Sequence, residues 1–311
     1  MGTTTTGQQG VEFDGSGEGT AGAGAGAATG AAGGAAVRGG RPGPVGRALR
    51  SPIGWMLTGA VGVTLVSGLT ANGPGPVPAL GAAAAVAVYW LVMRRQAGRP
   101  VPEIARSGAW RAALHGGGVG LGFVLGSVLV IMACGGYSFS WAGKDVLSVV
   151  GSTVVVQIGA SVSEELIFRG LALQALERLW GSRVALVVTS LFFGVAHLVV
   201  PAANGWSALA ISLEAGGLLG AAFLWRRSIW FVTGLHFAWN TLEQLLGIPV
   251  SGHAPEGLFD VGVHGPAVLN GGAFGLETSL VPVLTALVLA AVMFVRARRE
   301  GGIESRRRVG N

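Results

Sequence analysis

The chain has 311 residues, half of them hydrophobic and only 12% charged, with a formal net charge of +6 and a mean hydropathy of +0.59. That charge content is too low for a soluble enzyme, and the basic residues lie in short clusters between apolar runs, which argues against nucleic acid as a partner. One cysteine, Cys134, excludes an intrachain disulfide and a multi-cysteine metal site.

Residues 1 to about 36 are Gly, Ala and Thr with almost nothing bulky, so residues 1–50 are expected to form a disordered cytoplasmic tail. No signal peptide is expected, because the first apolar segment begins near Ile53. Eight apolar segments follow, approximately 53–71, 77–93, 110–133, 146–176, 184–200, 207–224, 229–247 and 279–295. Most are near the ~20 residues that cross a bilayer. Continuous apolar runs of this length predict helices, since other backbone conformations leave polar groups unpaired in lipid. The expectation is an all-α, polytopic membrane protein with about eight transmembrane helices. Its membrane domain covers residues 51–300, and residues 301–311 form a basic cytoplasmic tail. Gly118, Gly122 and Gly126, and likewise Gly216 and Gly220, are spaced for close helix contacts, and Cys134 reads as a small packing residue.

With the N-terminus in the cytoplasm, 19 of the 21 Lys and Arg residues fall on the cytoplasmic side, the exceptions being Lys144 and Arg169. By the positive-inside rule this predicts a multi-pass protein of the cell membrane with both termini cytoplasmic.

Three polar clusters interrupt the apolar segments. Ser163-Glu164-Glu165-Leu166-Ile167-Phe168-Arg169 places two carboxylates and a guanidinium in the fourth. An ionisable group at such depth costs roughly 2.5–3.5 kcal/mol on insertion scales and marks a functional site by default. Glu165 and Arg169 stand four apart and should pair, whereas Glu164 points about 100° away and should be free. Phe193-Gly194-Val195-Ala196-His197 lies in the fifth segment and His236-Phe237-Ala238-Trp239-Asn240 in the seventh, with His236 and Asn240 on one helix face. Counted from the cytoplasmic arginines at ~1.5 Å per residue, Glu164, His197, His236 and Asn240 lie roughly 14–21 Å deep, so they can meet in one layer.

Glu164-Glu165-x-x-x-Arg169, Phe193-x-x-x-His197 and His236-x-x-x-Asn240, in this order, resemble the three motifs of the CPBP family of intramembrane proteases. That family includes CAAX prenyl endopeptidases and bacterial bacteriocin-processing or immunity-type relatives. The similarity covers about residues 146–247. It implies that Glu164 and His197 activate water, that His236 and Asn240 stabilise the oxyanion, and that Glu165 and Arg169 support the site.

The residues themselves admit the same chemistry, a carboxylate base for water and donors for a developing oxyanion. They also admit zinc held by Glu164, His197 and His236. The metal-free mechanism, with no cofactor, is preferred because His-Glu-x-x-His is absent and asparagine is a poor zinc ligand. A serine mechanism lacks its Gly-x-Ser-x-Gly elbow. The expected partners are the lipid bilayer and a membrane-associated peptide or protein substrate. A non-catalytic membrane immunity or scaffold protein is the competing class. Glu214, Glu243 and Gln157 are apolar-flanked polar groups without an assigned role. His115, His253 and His264 are expected at exposed positions, the last two in a loop spanning about residues 248–278.

Overall fold

The computed structural model describes Gly2 and residues 43–200, 202–254 and 256–305. The chain divides into two units, Met1–Arg41 and Pro42–Asn311, and every element described here belongs to the second. Apart from Gly2, the expected disorder before residue 43 lies outside the described residues, as does the basic end of the C-terminal tail after residue 305.

Of the described residues 74% are helical, and the protein is a multi-pass membrane protein. A short helix α1 (Pro44–Arg50) precedes α2 (Pro52–Thr70), α3 (Val77–Gln96) and α4 (Ala109–Ala133). Strand β1 (Tyr137–Trp141) leads to α5 (Val146–Trp180), α6 (Ser182–Val199), α7 (Gly205–Arg226) and α8 (Ile229–Leu245). Strand β2 (Phe259–Val263) and α9 (Leu280–Arg299) complete the order. Local sequence explains several helix starts. Ser51 accepts the Gly54 N–H ahead of Pro52, Asp145 accepts the Ser148 N–H at 2.7 Å, and Asn204 with Ser207 forms a reciprocal capping box. α7 stops where Arg227 adopts a left-handed φ of 49°, and Ser228 then caps α8.

Among the described residues, seven helices are long and apolar enough to cross a membrane. The eighth expected span is α8, only 17 residues long, most of it enclosed by protein. It packs most extensively on α4 and next on α5, so its composition is set by neighbouring side chains more than by lipid. The outer helices present lipid with exposed apolar rows, including Leu57 and Leu65 of α2, Leu125 and Leu129 of α4, and Leu284 and Val288 of α9. α7 is the most enclosed of the seven spans.

Several expectations require correction. Residues 44–50, assigned to the tail, fold as α1 with Pro44 in its first turn and pack on α2. Cys134 is exposed just beyond the end of α4. The segment expected to be a solvated loop over 248–278 is partly built in: β2 pairs antiparallel with β1, and Val250, Phe274 and Leu276 are buried. Edge-to-face contacts of Phe259 with Phe139 and Trp141 fix that pairing. His115, His253 and His264 are exposed as expected.

The glycine stripe also differs. A Cβ at Gly118, Gly122 or Gly126 would meet nothing within 4 Å, whereas one at Gly116 or Gly120 would collide with the α8 carbonyls of Phe231 or Leu235. Gly234 of α8 is equally closed against Ala113. The working face of α4 is therefore the other one, and the two backbones approach closely there. In α7, by contrast, Gly216 and Gly220 do press on Ser190 and Leu186 of α6.

Replacing Gly120 with valine should lower the melting temperature of detergent-solubilised protein by the equivalent of about 1–3 kcal/mol, since backbone must move to admit the side chain. Gly122→Ala should be neutral or stabilising, by up to ~1 kcal/mol from helix propensity. Equal effects of the two would reverse the assignment of the packed face.

Candidate active site

The site is built outward from α5. Glu165 is completely enclosed, and one of its oxygens, Oε1, lies 2.9 Å from Arg169 Nη1 and 2.9 Å from His236 Nδ1 of α8. Arg169 uses its other terminal nitrogen, Nη2, to donate to the Ala215 carbonyl of α7 at 2.7 Å, and it sits 5.0 Å over the Phe193 ring of α6. One ion pair thus touches α5, α6, α7 and α8. The backbone is adapted to this: Leu166–Leu173 and Ser212–Leu219 are wound as π-helix, the wider turn that often occurs at functional sites.

Glu164 points elsewhere, as the helical spacing predicts. Its side chain is 35% exposed where that of Glu165 is 0%, and it faces a cavity of about 410 Å³. His197, His236 and Asn240 line the same cavity, so all four residues singled out by depth come together. His197 begins the final 3-10 turn of α6, with Nδ1 2.8 Å from the Phe193 carbonyl. A carbonyl only accepts, so Nδ1 carries the hydrogen and Nε2 is left as the acceptor. His236 donates through Nδ1 to Glu165, and its Nε2 stands 3.9 Å from Glu164 Oε2. Asn240, one turn beyond His236, completes that face of α8.

Three further polar residues of the cavity were not singled out in the sequence. Gln244 accepts from Gln157 at 2.8 Å and ties α8 to α5. Glu277, from the single turn Leu276–Thr278 before α9, accepts the Ser251 N–H at 2.6 Å and its hydroxyl at 2.8 Å. Both residues line the cavity. Burial pushes the Glu277 carboxyl above its ordinary value, opposed by the Ser251 donors and by His197. A Gly-rich stretch gives no periodic signal that would mark Glu277 as inward-facing. Glu243 accepts the Trp239 indole N–H at 2.9 Å, and Glu214 has no hydrogen-bond partner among the described residues. Both are fully buried and neither lines the cavity.

Glu164 also borders a second hollow on the adjoining side of α5, which shares Val156 and Ala160 with the cavity. It is an apolar groove edged by Gly68, Ala71, Pro78, Ala82 and Ile167, between α2, α3 and α5. At its edge the Ser67 and Ser163 hydroxyls are bonded at 2.6 Å.

With Nδ1 of both histidines engaged by protein acceptors, the two Nε2 atoms and Glu164 remain available, the ligand types of a zinc site built from two histidines and one glutamate. Among the described residues, no group of three His, Cys, Asp or Glu side chains is arranged to hold a metal ion.

Arg169→Met would strand a buried carboxylate, and breaking such a pair typically costs about 3–5 kcal/mol. A correspondingly large drop in melting temperature is expected. Arg169→Lys should fall between the two, because an ammonium lacks the planar fork that serves Glu165 and Ala215 together. An unchanged melting temperature in the Met variant would remove the ion pair from the centre of the fold.

No curated protein and no solved structure matches the chain. Residues 146–242 match the family model described as type II CAAX prenyl endopeptidase Rce1-like. That stretch supplies Glu164, Glu165, Arg169, His197, His236 and Asn240. The part of the chain that forms the heart of this cavity is therefore similar to the CPBP family of intramembrane proteases, through its Rce1-like model.

Proposed function

We propose that the protein is an intramembrane endopeptidase that hydrolyses a peptide bond of a membrane-associated peptide or protein, using Glu164 as the base for water and no metal. The observation that carries this reading is the contrast between the adjacent carboxylates. Glu165 is committed to Arg169 and His236, while Glu164 is uncommitted and opens on a cavity shared with His197, His236 and Asn240.

In the proposed reaction a water held between Glu164 and His197 Nε2 attacks the carbonyl carbon while Glu164 takes its proton. His236 and Asn240 donate to the oxyanion that forms, a role in which one donor is worth roughly 2.7–4 kcal/mol. His236 already donates Nδ1–H to Glu165, so donation from Nε2 requires the doubly protonated ring. As the tetrahedral species collapses, Glu164 returns the proton to the leaving amine and the C–N bond breaks.

The apolar groove on the adjoining side of α5 supports a substrate delivered from the bilayer, because it meets the polar cavity at Glu164 itself. We place the protein in the cell membrane with both termini cytoplasmic, on the distribution of its basic residues.

The test is cleavage of membrane-tethered peptides by purified protein. Glu164→Gln should abolish cleavage while leaving the melting temperature nearly unchanged. Asn240→Ala should lower kcat by about 10²–10³-fold, and chelator should have no effect. A fully active Gln variant would sink the mechanism. Loss of activity on chelation would restore the zinc alternative, and a cellular phenotype indifferent to Glu164→Gln would favour a scaffold.

A further inference from the structure

Glu277 lies beyond the segment that matches the family model and has no part in the reaction above. It is nonetheless 3% exposed, anchored and inward-facing, which a carboxylate on a connecting segment need not be. Its two oxygens accept from the backbone and side chain of Ser251, a residue held at a left-handed φ of 46°. Such a conformation is costly for a residue with a side chain and persists where the surroundings impose it. The two bonds orient the carboxylate, and they use only two of its roughly four acceptor positions.

Apart from the histidines His197, His236 and His253, the ionisable groups lining the cavity are of one sign. Glu164 and Glu277 both line it, and none of the described residues that line it is lysine or arginine. Arg169, the nearest guanidinium on α5, is spent on Glu165 and the α7 carbonyls. A cavity with one sign of charge and low-dielectric walls concentrates its field on whatever enters. An anion would meet two carboxylates, and the imidazolium that the proposed reaction calls for, His236, is already held between Glu164 and Glu165. A basic side chain would meet an oriented acceptor with free lone pairs.

We propose that Glu277 is a specificity-determining residue that receives a Lys or Arg side chain of the substrate, so that the preferred substrate is cut at an internal bond beside a basic residue. This rests on the peptidase reading given above.

The test uses synthetic peptides with an apolar membrane segment that differ only in Lys, Gln or Glu at positions flanking the cleaved bond. A parallel pair carries a free or an amidated C-terminus close to that bond. Binding is measured on Glu164→Gln protein, which retains the cavity, and cleavage on the wild type. Lys peptides should bind and be cut at least about tenfold better than Glu peptides, and amides better than free carboxylates. Adding Glu277→Gln should reduce the Lys-to-Glu ratio to below about threefold, and Glu277→Asp should restore part of it. Should the Gln variant fail to fold, the peptide comparison on protein with Glu277 intact still decides. Equal binding of all charges overturns the proposal, as does an undiminished ratio in a folded Glu277→Gln variant. Cleavage without charge preference removes the specificity and leaves the peptidase. Charge-selective binding without any cleavage by the wild type upholds the cation site and removes the peptidase.

Discussion

The buried pair of Glu165 and Arg169 is the interaction on which the arrangement of the other residues depends. Taking both charges out of water costs several kcal/mol per ion, so the pair adds little net stability by itself. Its effect is geometric. Because one oxygen of Glu165 serves Arg169 and His236 together, and Arg169 also reaches the Ala215 carbonyl, the relative positions of α5, α7 and α8 are fixed by directional bonds. Apolar packing alone would tolerate small slips between these helices. The pair also leaves Glu164, its neighbour in sequence, as the carboxylate that faces the cavity.

A second constraint acts on α8, the shortest of the long helices. It carries His236 and Asn240 and reaches its position because Gly116 and Gly120 of α4 lie directly against its carbonyls, with Gly234 answering from its own surface. Removing side chains at those three points lets the backbones approach, and that approach sets how far the imidazole stands from Glu164. The polar face of α8 is tolerated within the membrane because protein surrounds it.

The cavity draws its far wall from outside the helical core. Ser251 and Glu277 belong to segments that cross the helix ends, and their mutual bonds attach one to the other. The β1–β2 pair holds the same connection nearby, with Phe259 packed between Phe139 and Trp141. The cavity thus combines a helical wall, which carries Glu164, His197, His236 and Asn240, with a wall of connecting chain.

Much of this was legible in the amino-acid order. Length and hydropathy determined a helical, multi-pass fold, because a bilayer demands about 20 apolar residues per crossing and admits no unpaired backbone. The i,i+4 spacing determined that Glu165 would meet Arg169 and Glu164 would not, and equal depth brought Glu164, His197, His236 and Asn240 together as candidates. What only the tertiary structure decided are relations between helices. Glu165 reaches His236 across 71 positions of sequence, which no local period encodes. The choice of Gly116 and Gly120 over Gly118 and Gly122 depends on which side of α4 receives α8, and glycines on both faces make the two readings equivalent until a neighbour is placed. Glu277 sat in a Gly-rich stretch that reads as exposed, because the bonds that turn it inward come from Ser251, 26 residues away.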